Sequence, residues 1–159
     1  MGLIFVRRPR DYQCSRLYRA EREVAAYLRD SLPTVADIQR YVDEILRNPW
    51  MQLRFGSSVR APITVVGGRQ RPAFAQTYYA SISMPKWSRC KLIVIHEMCH
   101  ILVDRYYGQD CTAGHGPEFA TFELALVECF LGADDGCDLH DAFARHGVEH
   151  SYRGKGQLP

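Results

Sequence analysis

Residues 96 to 100 read His-Glu-Met-Cys-His, with two histidines four positions apart and a glutamate directly after the first. Residues four apart on an α-helix lie on one face, so His96 and His100 can reach the same metal ion. Glu97 is displaced by about 100° around the helix axis, which places its carboxylate beside such an ion, where it can hold a water molecule. This arrangement is typical of zinc hydrolases, with Glu97 as the catalytic carboxylate.

The segment around this motif is predicted to be helical. Between Trp87 and Tyr107 the chain contains neither Pro nor Gly, and its apolar residues recur at steps of three and four. Gly108 follows directly and is a typical residue for the end of a helix. The alternative interpretation is a core helix that carries two incidental histidines.

A catalytic zinc site needs a third protein ligand and one open position. The metzincin pattern requires a histidine six residues after His100, where this chain has Tyr106. His115 is the best candidate, because glycines on both sides permit a close backbone approach and Pro117 suits the first turn of a new helix. An exposed turn histidine is the alternative. Four acidic residues are also considered: Asp104 as a surface group or a support for the ligands, and Glu118, Glu123 and Glu128 as other third ligands.

The complete pattern resembles the SprT/Spartan-type zinc metallopeptidase domain. His96-Glu97-x-x-His100 is followed, after fourteen intervening residues, by His115-Gly116-Pro117-Glu118-Phe119, similar to the H-G-x-x-F segment that supplies the third ligand in that family. The resemblance covers about residues 74 to 131. It implies one Zn²⁺ held by His96, His100 and His115, with Glu97 as the catalytic carboxylate. Residues 10 to 21 are in turn similar to the small metallohydrolases of actinobacteria and their phages.

The resemblance implies hydrolysis of peptide bonds, with a protein or peptide as substrate. Two other functions are retained: hydrolysis of a non-peptide amide, and a non-catalytic, zinc-stabilised binding module associated with DNA through the basic ends of the chain. Spartan-type proteins often continue into a zinc ribbon, but the six cysteines here include no C-x-x-C pair. A DNA partner is therefore only weakly indicated.

Composition favours one globular domain over residues 1–159, with short flexible tails at about 1–9 and 150–159. The hydrophobic fraction is 47% and the net charge is +2, too mild to indicate nucleic-acid binding. Six cysteines without a recognisable pattern and no signal peptide predict free thiols in the cytoplasm. No apolar run reaches the roughly 20 residues of a membrane span, so a membrane partner is not expected.

The predicted fold class is α+β and, by the resemblance, zincin-like: N-terminal helices, a small three-stranded sheet, and a helix pair that carries the HExxH site. Periodicity and capping residues predict five helices. Two features are more specific: Asp11 is the expected N-cap of the first helix, and Thr34 with Asp37 resembles a capping box that opens the second. The predicted helices are 11–29, 34–47, 87–107, 118–131 and 138–145, with a turn at 134–136.

Three strands are predicted, at residues 51–55, 62–66 and 73–84, from alternation or from β-branched and aromatic residues. By analogy with zincins, Tyr78 to Met84 would be an exposed sheet edge that pairs with an extended substrate, although an ordinary covered strand is an equal alternative. Cys99 is expected to be a buried thiol and not a ligand. Candidates for stabilising the oxyanion of the reaction are Tyr78, Tyr79, Tyr107, His140 and His146.

Overall fold

The computed structural model describes residues 7–25, 30–69 and 72–154. Within these ranges the chain has six α-helices and one three-stranded mixed sheet, which confirms the α+β class. The helices are α1 (Cys14–Ala25), α2 (Val35–Arg47), α3 (Pro49–Phe55), α4 (Lys91–Tyr107), α5 (Pro117–Phe130) and α6 (Ala133–His146). The strands are β1 (Thr64–Val66), β2 (Phe74–Gln76) and β3 (Ser81–Ser83).

Capping residues and helix-ending residues predicted α2 and the end of α4 correctly. The Thr34 side chain accepts a hydrogen bond from the backbone N–H of Asp37, and the Asp37 side chain accepts one from the backbone N–H of Thr34, so the predicted capping box is confirmed. Helix α4 ends at Gly108, whose φ of 101° lies in the region that favours glycine. It starts at Lys91, four residues later than predicted.

Residues 51–55 were predicted as a strand, and this prediction is wrong because they belong to α3. Asn48 caps this helix by accepting a hydrogen bond from the backbone N–H of Trp50, and a proline occupies the first turn. Met51 and Phe55 are buried whereas Leu53 is 83% exposed. Two buried residues four positions apart lie on one face of a helix. The same five residues also alternate between apolar and polar, which is why a strand was predicted.

Residues 73–84 form two strands and not the single predicted one. The turn Thr77–Tyr79 and Ala80, at a φ of 48°, reverse the chain between β2 and β3. The strand order is β1-β3-β2, with β3 parallel to β1 and antiparallel to β2. The predicted edge at Tyr78 to Met84 is therefore wrong: β3 is the central strand, and β2 is the edge that lies against α4.

Two further boundaries differ from the prediction. Residues 134–136 are not a turn but the first turn of α6, where Gly136 lets the helix approach Glu128; a Cβ on Gly136 would lie 2.9 Å from that side chain. Helix α1 begins at Cys14, so Asp11 is not its N-cap. The predicted continuation of this helix over residues 26–29 lies outside the described residues.

Helix α4 is central to the hydrophobic core. It packs against α5 on one side and contacts β2 on another, while α6 packs against α1 and α5. Phe119 and Phe122 of α5 are fully buried in this core, as is Cys99 of α4, as predicted. Within the described ranges no helix combines the length and the hydropathy that a membrane crossing requires.

Candidate metal centre

The two histidines of the HExxH motif lie close together on α4. The Nε2 atoms of His96 and His100 are 3.2 Å apart. His96 is almost fully buried, and Phe119 of α5 packs against both rings. The motif therefore presents two imidazoles from one helix face to a common point, as their spacing predicts.

The loop between α4 and α5 brings His115 to the same point. Its Nε2 lies 3.4 Å from Nε2 of His96, and its ring centroid is 4.7 Å from that of His100. Helix α5 begins at Pro117, immediately after the glycine that follows His115. The structure thus gathers His96, His100 and His115, the three residues that the sequence indicates as ligands.

The spacing of the three nitrogens fits a tetrahedral zinc ion. Ligands at about 2.05 Å from such an ion are about 3.3 Å apart, and the two Nε2 separations are 3.2 and 3.4 Å. Burial lowers the pKa of His100 well below its usual value and also lowers that of His115. Both imidazoles are accordingly neutral at pH 7, which is the form that binds metal.

Two carboxylates hold the opposite sides of these rings. The Nδ1 atom of His96 lies 2.5 Å from Oε1 of Glu21, and Nδ1 of His115 lies 2.6 Å from Oδ2 of Asp11. When Nδ1–H donates to a carboxylate, the lone pair of Nε2 is directed away from it, towards the metal position. Both rings are therefore oriented for coordination through Nε2.

Sequence analysis missed both of these carboxylates. Asp11 was assigned to helix capping, and Glu21 has no local pattern that links it to a histidine 75 residues away. One feature of the sequence is consistent with the contact between Asp11 and His115: the residue before His115 is a glycine. A Cβ on Gly114 would lie 3.0 Å from Oδ2 of Asp11, so the missing side chain gives the carboxylate room to reach the ring.

A third carboxyl group lies behind His96. Glu123 of α5 is fully buried, and its Oε1 is 3.5 Å from Nδ1 of His96. Burial raises the pKa of Glu123 well above its usual value and that of Glu21 to about 7. An oxygen of each carboxyl group and a ring nitrogen of His96 lie within 4.8 Å of one another, so this buried pocket favours the protonated form of a carboxyl group.

The acidic residues considered as other third ligands have different surroundings. Glu123 is on the Nδ1 side of His96, away from the point where the three Nε2 atoms meet. Glu128 packs against Gly136 of α6, and Glu118 lies beside Gly116 at the start of α5. Among the described residues, the cluster formed by the three histidines contains none of these glutamates.

Asp104 is buried and forms an ion pair that the sequence did not indicate. Its two carboxylate oxygens are 2.7 and 2.8 Å from a guanidinium nitrogen of Arg8, which also contacts Asp110. Of the two roles predicted for Asp104, the surface position is therefore wrong, whereas the role of a support for the ligands stays a prediction. The ion pair instead fastens the segment that carries Asp11 to the end of α4.

Glu97 follows His96 on α4, shares a cavity wall with it, and is only 5% exposed. Burial raises the pKa of its carboxyl group, whereas His96 and the backbone amide of Ala75 in β2 lower it. Glu97 also lines a cavity next to His96. A carboxylate with a raised pKa at a cavity wall is suited to accepting and returning a proton.

Tyr18 of α1 also packs against two of the histidines, and it was not predicted from the sequence as part of the site. Its ring is stacked on His96 with centroids 5.4 Å apart, and it is 4.9 Å from His115. Burial raises the pKa of its hydroxyl, so Tyr18 stays protonated and can donate a hydrogen bond. It therefore joins the candidates for stabilising an oxyanion.

The residues predicted from the sequence to stabilise the oxyanion contact other groups. Tyr78 and Tyr79 are largely exposed and pack on each other. Tyr107 packs on Phe122, and the two histidines of α6 contact groups away from α4. Among the contacts of the described residues, none joins the three clustered histidines to any of the five candidates, which are Tyr78, Tyr79, Tyr107, His140 and His146.

No protein-family model, no curated protein and no solved structure matches this chain. The resemblance to SprT/Spartan-type domains therefore stays a prediction from the motif and its spacing.

Proposed function

We propose that this protein is a zinc-dependent metallohydrolase that cleaves peptide bonds. The observation that carries the proposal is the convergence of three histidine side chains, with Nε2 separations of 3.2 and 3.4 Å from His96, and with Glu97 next to His96 at a cavity wall. Three imidazoles are a donor set that zinc enzymes use, with one coordination position left for the reaction. Zinc is thus the proposed cofactor, held by His96, His100 and His115.

Zinc in this position would supply Lewis acidity, which acidifies water and polarises a substrate carbonyl. The carboxylate of Glu97 would take a proton from the attacking water and pass it to the leaving amine. Glu21 and Asp11 would keep the rings of His96 and His115 oriented throughout. Tyr18, whose ring packs against His96 and His115, would donate its hydroxyl to the developing oxyanion.

A peptide substrate is supported by the position of β2. This strand pairs with β3 on one side, and its other edge carries no strand among the described residues. The backbone amide of Ala75 in β2 is close enough to Glu97 to lower its pKa. An extended peptide that pairs with this edge would pass directly along the candidate catalytic carboxylate.

The fold and location of the proposed enzyme follow the same reasoning. We assign it to the zincin-like folds and to a SprT/Spartan-like group on the basis of the HExxH helix, the spacing to His115 and the adjacent sheet edge. All six cysteines are free thiols, which supports a reducing compartment such as the cytoplasm. The basic side chain of Arg8 is engaged by Asp104, which weakens the case for a DNA partner.

The test is to load the protein with zinc, measure the bound metal, and incubate it with unfolded proteins while monitoring fragments by mass spectrometry. Glu97→Gln should bind one zinc ion as the unchanged protein does, yet its cleavage rate should fall by roughly 100- to 10,000-fold. Equal cleavage rates would remove Glu97 from the mechanism.

Other results would favour the other two functions. Zinc binding without cleavage of any protein, but with Glu97-dependent hydrolysis of small amides, would identify a non-peptide substrate. Zinc binding with no hydrolysis, together with salt-dependent binding to DNA that Glu97→Gln leaves unchanged, would identify a zinc-stabilised binding module.

A further inference from the structure

A cavity of about 300 Å³ adjoins the candidate metal centre. His96 and Glu97 form part of its wall, so whatever fills the cavity lies next to the reacting groups. Its volume is at the lower end of the range for ligand pockets, which leaves room for one large side chain. Its described apolar lining residues are Ala25, Pro72, Ala73, Trp87, Leu92 and Ile93.

Two charged residues of this cavity already have partners. Glu21 is bonded to His96, and the Nε atom of Arg22 donates to the backbone carbonyl of Tyr18. Arg22 is the only cation among the described lining residues. Trp87 is 66% exposed, so a large apolar surface remains to be covered. The cavity therefore favours an apolar occupant over a charged one.

The chemistry of Glu97 determines which side of the substrate enters the cavity. In the proposed reaction Glu97 passes a proton to the leaving amine, so it must lie on the side of the scissile bond where that amine is. Ile93, which lines the cavity, is one helical turn before Glu97 on the same face of α4. The cavity and the leaving amine are thus on the same side.

We propose that this cavity selects a bulky apolar side chain, such as that of Phe or Leu, on the residue that contributes the leaving amine. The proposal rests on the proposed peptidase function, because it assigns the substrate preference of the same site. A missing methylene in an apolar pocket lowers kcat/KM by roughly 10- to 200-fold. Peptides with Phe or Leu at this position should therefore be cleaved at least about tenfold faster than peptides with Ala.

The first measurement is cleavage of a peptide series in which only the residue after the scissile bond varies among Phe, Leu, Ala and Asp. Ala73→Phe would fill the cavity without removing any core side chain, and it should reduce the preference for Phe over Ala at least about tenfold. Ala144→Phe, on the exposed face of α6, is the matched control and should keep the preference. Ala25→Phe fills the cavity from α1 and serves if Ala73→Phe fails to fold.

The second measurement is binding of the same peptides to the Glu97→Gln protein, which does not depend on turnover. Stronger binding of the Phe peptide than of the Ala peptide, lost in the Glu97→Gln/Ala73→Phe protein, would support the cavity proposal even if no peptide is cleaved by the unchanged protein. In that case the proposed peptidase function fails, and what stands is the preference of the cavity for a bulky apolar side chain, without its assignment to the leaving-amine side.

Three results would overturn the cavity proposal. Cleavage with no preference at this position would do so and would leave the peptidase function intact. A preference for Asp would reassign specificity to Arg22. In a second series that varies only the residue before the scissile bond, a preference confined to that residue would place the cavity on the other side. Absence of both cleavage and selective binding would reject the two proposals together.

Discussion

The candidate metal centre is built from two parts of the chain that differ in how they contribute. Helices α4 and α5 with the loop between them supply the three imidazoles, whose contacts join residues 4 and 19 positions apart. Residues 8–21 supply the groups that hold the imidazoles, through contacts that join residues 75 and 104 positions apart. The histidines that would donate to the metal are thus close to one another in sequence, whereas the carboxylates that support their rings are far from them in sequence.

This difference separates two properties of the site. The histidines determine whether zinc can bind, because without three donors the tetrahedral site is incomplete. The N-terminal carboxylates determine how the histidines are oriented and which nitrogen carries the proton. Changes in the two parts should therefore differ in size, and the size is measurable as zinc affinity.

The largest effect is expected from removing a donor. His115→Ala should weaken zinc binding by more than about 100-fold, which is beyond the range for loss of a supporting contact. The measurement is a titration against a chromogenic chelator of known affinity. His140→Ala on α6, where the side chain is largely exposed, is the control and should bind zinc unchanged. An equal loss in both variants would remove His115 from the site.

A smaller effect is expected from the carboxylates that hold the rings. Asp11→Ala and Glu21→Gln should each weaken zinc binding by about 10- to 100-fold, because the ring concerned loses its charged acceptor at Nδ1 while its Nε2 remains available. Asp11→Asn keeps an acceptor and should lie between Asp11→Ala and the unchanged protein. If these variants match His115→Ala, the distinction between donors and supports is wrong.

The same distinction explains what the sequence could predict. The HExxH pair, the glycine-flanked His115 and the capping box of Thr34 are patterns within a few residues, and the structure places each as the pattern indicates. The roles of Asp11 and Glu21 depend on how α1 packs in three dimensions. No local pattern encodes that packing, so both were missed.

The wrong structural predictions have related causes. In so short a segment the positions of Met51 and Phe55 are compatible with a strand and with a helix. The structure shows a helix that buries both side chains in the core. Gly136 was predicted to be in a turn because glycine is typical of turns. In the structure it is part of α6, where the absence of a side chain lets the helix approach Glu128. The position of β3 at the centre of the sheet depends on pairing with β1, which no short segment reveals.

Glu123 allows the supporting part of the site to be tested without zinc. Burial raises its pKa well above the usual value of 4.5, so the folded protein keeps a proton that the unfolded chain loses above about pH 4.5. The stability that this proton brings is present below pH 4.5 and is lost as the pH rises through the raised pKa. Glutamine imitates the protonated acid and does not titrate.

In excess chelator, Glu123→Gln should therefore gain free energy of unfolding relative to the unchanged protein between pH 5 and pH 8, as measured by urea denaturation at each pH. Glu44→Gln on the exposed face of α2 is the control for replacing a glutamate by glutamine. A pH-independent difference for Glu123→Gln would mean that this carboxyl group is not held protonated in the fold.

The smallest effect is expected at the ion pair that anchors the N-terminal segment. Arg8→Gln breaks the contact with Asp104 but leaves the carboxylate of Asp11 in place, and Arg8 is 36% exposed, so solvent weakens the interaction. We expect a loss of about 1 kcal/mol or less in the free energy of unfolding and a smaller loss of zinc affinity than in Asp11→Ala. Arg40→Gln, which breaks the exposed pair with Asp37, is the control for charge removal. If Arg8→Gln instead weakened zinc binding as much as Asp11→Ala, anchoring of the segment and orientation of His115 would be one coupled property, and the supports would act as a unit.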